Sequence, residues 1–396
     1  MNINNSIVDP SLADATAIRV TIGGDFRPTT EVERILQQGL YTPDWLVGEA
    51  APVFRQSDLA IINLECVLAA TGTPINKTGP CMRAHPDTLS LLTHMGVKLA
   101  TMANNHIRDF GDAGVRATLA CCEAGGIATL GAGNTLAEAR RIHYHEARGR
   151  RLAIINAADA EFSAARYSRA GANPLDLISM LDDIVEARHN AQHVVLVLHG
   201  GLEYTNVPSP NSIRLLRFLA EQNVTAIVRH HSHFVQGCEV WKGVPILYGV
   251  GNLYYGLPDK SVAGWFEGGV AQLDIGADNR CRFTMQGFEQ CLSAPRIRMY
   301  RGSEQDDFLD RLSAYSSVLS DPERLQLEWR CMLAQRKSAY YGQLALPSEL
   351  ALRIVRRFGL LRYAVPRQAK RLLYEELLRC EGHREALLDI LEENNA

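Results

Sequence analysis

The sequence lacks the features that mark membrane, nucleic-acid-binding or disulfide-stabilised proteins. No apolar run approaches the roughly 18 residues of a membrane span, and the start shows no secretory pattern. Basic residues do not exceed acidic ones, 41 against 44, which argues against nucleic acid as a partner. The nine cysteines are scattered, odd in number and without a Cys-x-x-Cys pair. Reduced thiols and a cytoplasmic location are therefore expected, with no transmembrane segment.

Short apolar runs alternate with helical patterns through the first 250 residues. The runs lie at 17–23, 58–64, 97–103, 127–132, 151–157, 193–199 and 224–228. This alternation is typical of βαβ units. It predicts an α/β fold in which sheets are flanked by helices.

After about residue 295 the pattern becomes helical throughout. We therefore predict two regions, a catalytic domain at 1–295 and a helical C-terminal region at 296–396. The helical region is predicted to pack over the catalytic domain or to form a homodimer contact. Two other interpretations are that the helical region forms a wall of a substrate groove, or that its basic face touches a membrane surface.

Polar side chains follow five of the apolar runs. They are Asp25; Asn63 and Glu65; Asn104, Asn105, His106 and Asp109; His199 and Glu203; and Arg229, His230, His231 and His233. Ligands of open α/β sheets bind beyond the carboxyl ends of the strands. We therefore expect these side chains to converge in one pocket.

The stretch VRHHSHF (228–234) holds three of the twelve histidines in the chain. On an extended backbone, His231 and His233 would point to the same side, because strand side chains alternate. Neutral imidazole is the commonest nitrogen ligand of divalent metals. An exposed loop with histidines of no function is the alternative.

The residue types in this set favour a metal site without thiolate. Carboxylates, an amide oxygen and imidazoles suit Mn, Fe or Zn. A shared carboxylate could bridge two ions about 3.5–4 Å apart, as in two-metal hydrolases.

Six motifs carry a resemblance to a known family. They are GGDF (23–26), INLE (62–65), MANNHIRDFGDAG (102–114), GAGNTLAEA (131–139), HGGLEY (199–204) and HHSHFVQGCEVWKGVPILYGVGN (230–252). In order and spacing they resemble the CapA-like, or poly-gamma-glutamate capsule biosynthesis, family of the calcineurin-like metallophosphoesterase superfamily. The resemblance covers about residues 17–275 and implies a calcineurin-like metallophosphatase fold, to which the C-terminal helices are an all-helical extension.

The resemblance implies a role for each motif residue. The implied metal ligands are Asp25, Glu65 as the bridging carboxylate, Asn105, His199, His231 and His233. The implied catalytic groups are His106 as general acid, His230 as base, Glu203, Asp25 and Glu65. The substrate side is predicted to hold Arg229, Asn104, Tyr204 and Asn252.

The sequence departs from the family pattern near the predicted centre. Arg229 and Ser232 replace a glycine and a proline, and Gly200 replaces a tryptophan. Asp25 lacks the histidine of the superfamily's Asp-x-His motif, a change shared with the family, so one ion or two are predicted. Arg229 is predicted to hold an anionic substrate group by a bidentate contact.

Three functions remain open from the sequence. The first is metal-dependent hydrolysis or transfer at a phosphoester or amide of a peptide or poly-glutamyl substrate. The second is epimerisation of a residue in a ribosomal peptide by abstraction of a Cα proton, which needs no metal. The third is a non-catalytic subunit of capsule synthesis.

Overall fold

Two β-sheets packed against each other form the centre of the molecule. The structure is a computed structural model that describes residues 16–256, 262, 264–344 and 368–392. The strands are β1 (Ile18–Phe26), β2 (Leu59–Leu64), β3 (Val67–Leu68), β4 (Arg83–Ala84), β5 (Leu99–Thr101), β6 (Ala128–Leu130), β7 (Ala132–Gly133), β8 (His143–Ala147), β9 (Arg150–Ala158), β10 (Gly171–Ala172), β11 (His193–His199), β12 (Ala226–His230), β13 (Cys238–Trp241), β14 (Val244–Leu247), β15 (Asn252–Tyr254), β16 (Glu267–Ile275), β17 (Cys281–Gln290) and β18 (Ile297–Met299).

Helices connect the strands and then form the C-terminal region. They are α1 (Thr30–Gln37), α2 (Pro43–Val47), α3 (Ala51–Arg55), α4 (Leu89–Met95), α5 (Gly111–Ala124), α6 (Leu136–Ala139), α7 (Leu177–Asn190), α8 (Pro210–Ala220), α9 (Ser303–Leu319), α10 (Pro322–Leu344), α11 (Gln368–Arg379) and α12 (Glu381–Glu392), with a 3₁₀ turn at Pro86–Thr88. In the described residues, no helix is long and apolar enough to cross a membrane.

The two sheets are mixed, with a parallel centre in each. The larger sheet has the order β18-β17-β16-β1-β2-β5-β6, with β15 also paired to β1, and the smaller has the order β13-β14-β12-β11-β9-β8. Neighbours β1, β2, β5 and β6 are parallel, as are β9, β11, β12 and β14. Crossover helices join most of the parallel neighbours, as parallel pairing requires. The predicted α/β fold with sheets flanked by helices is confirmed.

The central strands are apolar throughout because both of their faces are buried. Val195 and Val197 of β11 pack in a core shared with Ile22 of β1, so this core lies between the sheets. The alternate residues Leu196 and Leu198 pack in a second core with residues of α7 and α8. A parallel strand buried on both faces reads as a continuous apolar run, which is why 193–199 lacks alternation.

The C-terminal region is helical where it is described, but the larger sheet extends past residue 295. β18 pairs with β17, so the prediction that no strand follows residue 295 is wrong at this point. The strand β18 has only three residues, which is too short to show the alternation of apolar and polar side chains that identifies a strand in a sequence. In α9, Phe308 and Leu312 enter the core between the sheets, and the boundary at 295 stays a prediction. Part of the predicted helical region, 345–367 and 393–396, lies outside the described residues.

A small separate core ties the last helices to the loop after β11. Trp329 and Leu333 of α10, Leu377 of α11 and Ile390 of α12 pack together with Leu202. The helical region is thus anchored a few residues from His199, one of the predicted metal ligands.

Candidate metal centre

The predicted site residues lie where the carboxyl ends of the central strands of both sheets meet. Asp25 is near the end of β1 and Glu65 directly follows β2 in the larger sheet. His199 ends β11, and His231 follows β12 in the smaller sheet. Because the two sheets pack against each other, their carboxyl rims adjoin and bring these side chains together.

A bulge in β1 aims Asp25 into this rim. The register between β1 and β2 shifts between Ile22 and Asp25, and such bulges re-aim side chains. At Gly24 a Cβ atom would lie 1.9 Å from the carbonyl oxygen of Gly251, so only glycine fits. The Asp25 amide then donates to the same carbonyl at 3.2 Å. The GGDF motif therefore lets two strands approach closely at the site.

Glu65 lies at the centre of the cluster and is shared by two groups of ligand-type side chains. One group is Glu65, His199 and His231, and the other is Asp25, Glu65 and His233; in each, one ligand atom per residue lies within 4.8 Å of the others. Oε1 of Glu65 is 3.4 Å from Nε2 of His199, and Oε2 is 3.8 Å from Nδ1 of His233. The geometry is that of one carboxylate between two adjacent sites.

The Glu65 carboxylate is buried, and neither oxygen has a hydrogen-bond partner among the described residues. Burial, together with the charge of Asp25, raises the pKa of Glu65 well above its usual value. Burying an ionised group without a partner is unfavourable. The structure therefore carries a buried carboxyl group without a hydrogen-bond partner at the point where a cation would bind.

Two of the surrounding imidazoles are in the neutral state that a metal ligand needs, and the third, His233, is held protonated by the adjacent carboxylates. Burial lowers the pKa of His199 and of His231 well below the usual value, which keeps both imidazoles neutral. Burial favours a higher pKa for Asp25, but a hydrogen bond from His233 and nearby histidine charges hold it below its usual value. Burial alone would lower the pKa of His233, yet Glu65 and Asp25 raise it to about 10.

Two amides complete the rim. Oδ1 of Asn105 lies 3.1 Å from Nε2 of His199, which itself is 3.0 Å from Nδ1 of His231. Asn63, which the sequence analysis gave no role, donates from Nδ2 to Oδ1 of Asp25 at 2.7 Å. The donor set of carboxylates, imidazoles and an amide oxygen, with an orphaned carboxylate inside it, fits a divalent ion such as Mn, Fe or Zn.

The backbone that presents His231 and His233 is not extended, so that premise of the prediction is wrong. β12 ends at His230, and the φ angles of His231 and His233 are 93° and 58°. Positive φ is strained for a bulky side chain and is tolerated mainly where the surroundings enforce it. The two imidazoles reach the rim through this bend.

A cavity of about 220 Å³ opens beside the cluster. Its lining includes the predicted residues Asn105, His106, Glu203, Tyr204 and His233. Oε1 of Glu203 lies 3.9 Å from Nε2 of both His231 and His233. The Tyr204 ring stacks on Trp265 with centroids 5.7 Å apart. The cavity is thus the route to the predicted centre.

His106 lines this cavity, and one of its ring nitrogens is held by a hydrogen bond on the side away from the cavity. Its Nδ1 donates to Oδ2 of Asp109 at 2.6 Å, and Lys77 pairs with Oδ1 of the same carboxylate at 2.5 Å. Burial, then the charge of Lys77, lowers the pKa of His106. Nε2 is left as the nitrogen that can exchange a proton with a bound molecule.

Two predicted substrate-binding amides are used inside the protein. Asn104 donates to Oδ1 of Asn63 and the carbonyl of Leu64, and it accepts from the amides of His106 and Ile107. These four bonds use its hydrogen-bonding groups and hold the loop, so the structure does not support substrate binding by Asn104.

Asn252 orients a predicted metal ligand and is fully buried. Its Oδ1 lies 2.9 Å from Nδ1 of His233, and its Nδ2 donates to the carbonyl of Trp265. The structure therefore places Asn252 behind His233 and not among the groups that line the cavity.

Arg229 and His230 also point away from the cavity. Arg229 is buried, with Nη2 3.7 Å from Oδ2 of Asp159. At Gly200 a Cβ would lie 2.3 Å from Cγ of Asp159, so the Asp159 carboxylate leaves no room for a side chain at this position. His230 Nε2 donates to the carbonyl of Gly23 at 3.0 Å, which links the two sheets. The structure supports neither the anion-binding role of Arg229 nor the role of His230 as base.

Several lining residues escaped the sequence analysis. They are Lys77, Glu161, Tyr255, Trp265 and Glu376. Only Tyr255 directly follows a strand, the short β15, and Glu376 lies on α11, outside the region that the resemblance covers. Tertiary packing alone brings them to the cavity.

The fold and the rim together define an α/β protein of two packed sheets with a carboxylate–imidazole centre. The family described as "Bacterial capsule synthesis protein PGA_cap" matches residues 19–256, and the chain belongs to this family.

Curated relatives carry related names. A probable polyglutamine synthesis accessory protein of Mycobacterium tuberculosis is 30% identical over 225 residues, which is 53% of this chain and 59% of that protein. The PGA biosynthesis protein CapA of Bacillus subtilis is 28% identical over 236 residues, 59% of this chain and 62% of that protein. The chain thus covers less than two thirds of either relative.

A solved Mycoplasma pneumoniae structure described as a novel phosphatase is similar with a TM-score of 0.38 at 14% identity, over 71% of this chain and 91% of that one. At that score the likeness supports no statement about activity.

Proposed function

We propose that this protein is a metal-dependent enzyme that acts on a peptide or poly-glutamyl substrate. It would catalyse hydrolysis of a phosphoester or amide bond, or group transfer at such a bond. The observation that carries the proposal is Glu65, a buried carboxylate without a hydrogen-bond partner among the described residues and shared by two ligand groups. A bridging carboxylate between two ions has these properties. The names of the relatives support a glutamyl polymer as the substrate.

The rim offers two groups of side chains that could hold two ions. Glu65, His199 and His231 would hold one, with Asn105 beside them, and Asp25, Glu65 and His233 would hold the other. When bound, divalent ions would polarise the oxygen of the scissile bond and lower the pKa of water.

The protein's own groups supply the proton transfer and the orientation. His106, whose Nδ1 proton is held by Asp109, would take up a proton at Nε2 from the attacking water and deliver it to the leaving group. Glu203, next to His231 and His233, faces the same cavity and would orient the substrate.

A second candidate is epimerisation at a peptide Cα. An imidazole, His106, and a carboxylate, Glu203, line the same cavity, and such a pair can remove and return a proton. This reaction requires no ion at the rim, so metal content separates it from the first candidate.

The test is metal analysis combined with two assays on the purified full chain. We expect about two divalent ions per chain and turnover of bis-p-nitrophenyl phosphate that a chelator abolishes and Mn²⁺ restores. Protein that holds no ion but takes up deuterium at a peptide Cα from heavy water would favour the epimerase. The absence of both signals would contradict both candidates and would favour a binding subunit.

A further inference from the structure

Three carboxylates line the cavity next to the rim, and we call Glu161, Glu203 and Glu376 the acidic wall. We propose that the acidic wall binds a primary ammonium group of the substrate, such as the free amino terminus of a peptide-like chain. The inference rests on the proposed function, in that it takes this cavity to be the substrate's place.

Glu161 is the strongest indication of a missing ligand. Its side chain lines the cavity although the residue is only 7% exposed. In the described part of the chain, no hydrogen-bond donor or cation pairs with its carboxylate. Burial, with the charges of Asp159, Glu203 and Glu376, raises its pKa to about 8. A buried acid in this state gains most from a partner that brings its own positive charge.

The cations nearest the acidic wall are engaged elsewhere. Lys77, the one lysine or arginine among the described lining residues, pairs with Asp109 at 2.5 Å, and His233 faces Asp25 and Glu65 as well as Glu203. Arg336 donates to the backbone carbonyls of Glu203 and Tyr204 at 2.8 and 2.9 Å. No lysine, arginine or histidine of the described residues forms an ion pair with Glu161 or Glu376, so the positive charge that balances these two carboxylates would come from the ligand. An ammonium group has three donors, which matches a site bounded by three carboxylates.

A third metal ion is the competing occupant, because Glu161, His231 and Cys380 offer ligand atoms within 4.8 Å of one another. His231 already belongs to the group around Glu65. Burial raises the pKa of the Cys380 thiol well above its usual value, and the thiol donates to the carbonyl of Gly201 at 3.7 Å. His231 and the thiol are thus both engaged in other contacts, so the observations favour the ammonium group.

The helical C-terminal region fixes one side of the acidic wall. Glu376 lies on α11 and accepts a hydrogen bond from the Thr78 hydroxyl. At Gly382, a Cβ would lie 2.5 Å from the carbonyl oxygen of Gly201, so α12 packs directly on the loop after β11. The position of these helices therefore determines what the cavity accepts.

The acidic wall also determines how a glutamyl chain would lie. Its repeated carboxylates are repelled by the wall, and like charges at close range are unfavourable. The amino terminus is the part of such a chain that carries a positive charge. We therefore expect the substrate to enter with its amino end at the acidic wall, which directs reaction to bonds near that end.

Isothermal titration calorimetry of the full chain tests the proposal with two probes. They are a γ-linked triglutamate with a free amino terminus and the same peptide with that terminus acetylated. We expect the free form to bind at least about tenfold more tightly, because acetylation removes a charge-assisted contact. Glu161→Gln and Glu376→Gln should each reduce this ratio. Glu375→Gln, on the same helix but paired with Arg379, is the matched control and should preserve it.

Equal affinity for the two probes, or no binding of either, would overturn the proposal. The proposal would also be overturned if Glu161→Gln kept the affinity ratio of the two probes but bound one metal ion fewer, because that result would assign the acidic wall to a metal ion. Binding is measured without turnover. An inactive or metal-free protein that still discriminates between the probes would reject only the proposed function.

Discussion

Replacing Glu65 with glutamine is expected to remove divalent metal from the rim without unfolding the protein. Glu65 is the one residue shared by the ligand group that contains His199 and the ligand group that contains His233. Loss of a residue that merely supports a ligand weakens metal binding about 10- to 100-fold, so loss of the shared ligand should exceed 100-fold for at least one ion. Metal titration followed by mass spectrometry of the bound ions measures the effect.

In the metal-free protein, the Glu65→Gln variant is expected to be at least as stable as the unmodified chain. Because Glu65 is buried without a partner beside Asp25, the neutral amide should leave the melting temperature unchanged or raise it. Glu33→Gln is the control. Glu33 is also a buried acid, but it accepts a hydrogen bond from the His85 amide away from the rim, so metal uptake should persist. A Glu65→Gln protein that retains both ions would remove the basis for a bridging carboxylate.

Replacing His106 with asparagine is expected to lower kcat by about 10²- to 10⁴-fold, the usual contribution of general acid–base catalysis. The metal content should not change, because Nδ1 of His106 is bonded to Asp109 and His106 belongs to neither metal-ligand group. Steady-state kinetics and metal analysis on the same preparation separate the two effects.

His189→Asn is the matched control for this variant. His189 is an exposed residue in the last turn of α7, and its replacement should leave both readouts unchanged. If His106→Asn instead lost metal, His106 would act as a ligand or as its support. If the rate were unchanged, the proton at the leaving group would have another source.

The convergence of Asp25, Glu65 and His199 could be predicted because parallel strands share a direction. Each residue lies at the carboxyl end of an apolar run, and such ends meet at one edge of a sheet. The sequence did not show that two sheets, and not one, supply the rim. That required knowing which face of each strand lies between the sheets.

The structure does not support the predicted roles of Arg229 and His230 at β12, and the reason is which face of the strand lies between the sheets. Val228 lies in the core between the sheets, and His230, two residues on, therefore points inward as well. Arg229 faces the opposite way and pairs with Asp159. Alternation along the strand excludes both residues from the cavity once the inner face is known.

The rest of the cavity could not be predicted from local patterns. Lys77 lies in the irregular stretch TGTPINKTGP (71–80), and Glu376 lies on a helix about 300 residues away. Their positions depend on loop and helix packing, for which the sequence offers no periodic signal. A buried Glu161 without a partner becomes visible only when its surroundings are known.

Anomalous diffraction from crystals of the full chain grown with Mn²⁺ tests the bridging carboxylate most directly. We predict two anomalous peaks about 3.5–4 Å apart, with the Glu65 carboxylate between them, one beside His199 and one beside His233. Mn²⁺ absent from this rim, or bound there without contact to Glu65, would contradict the account.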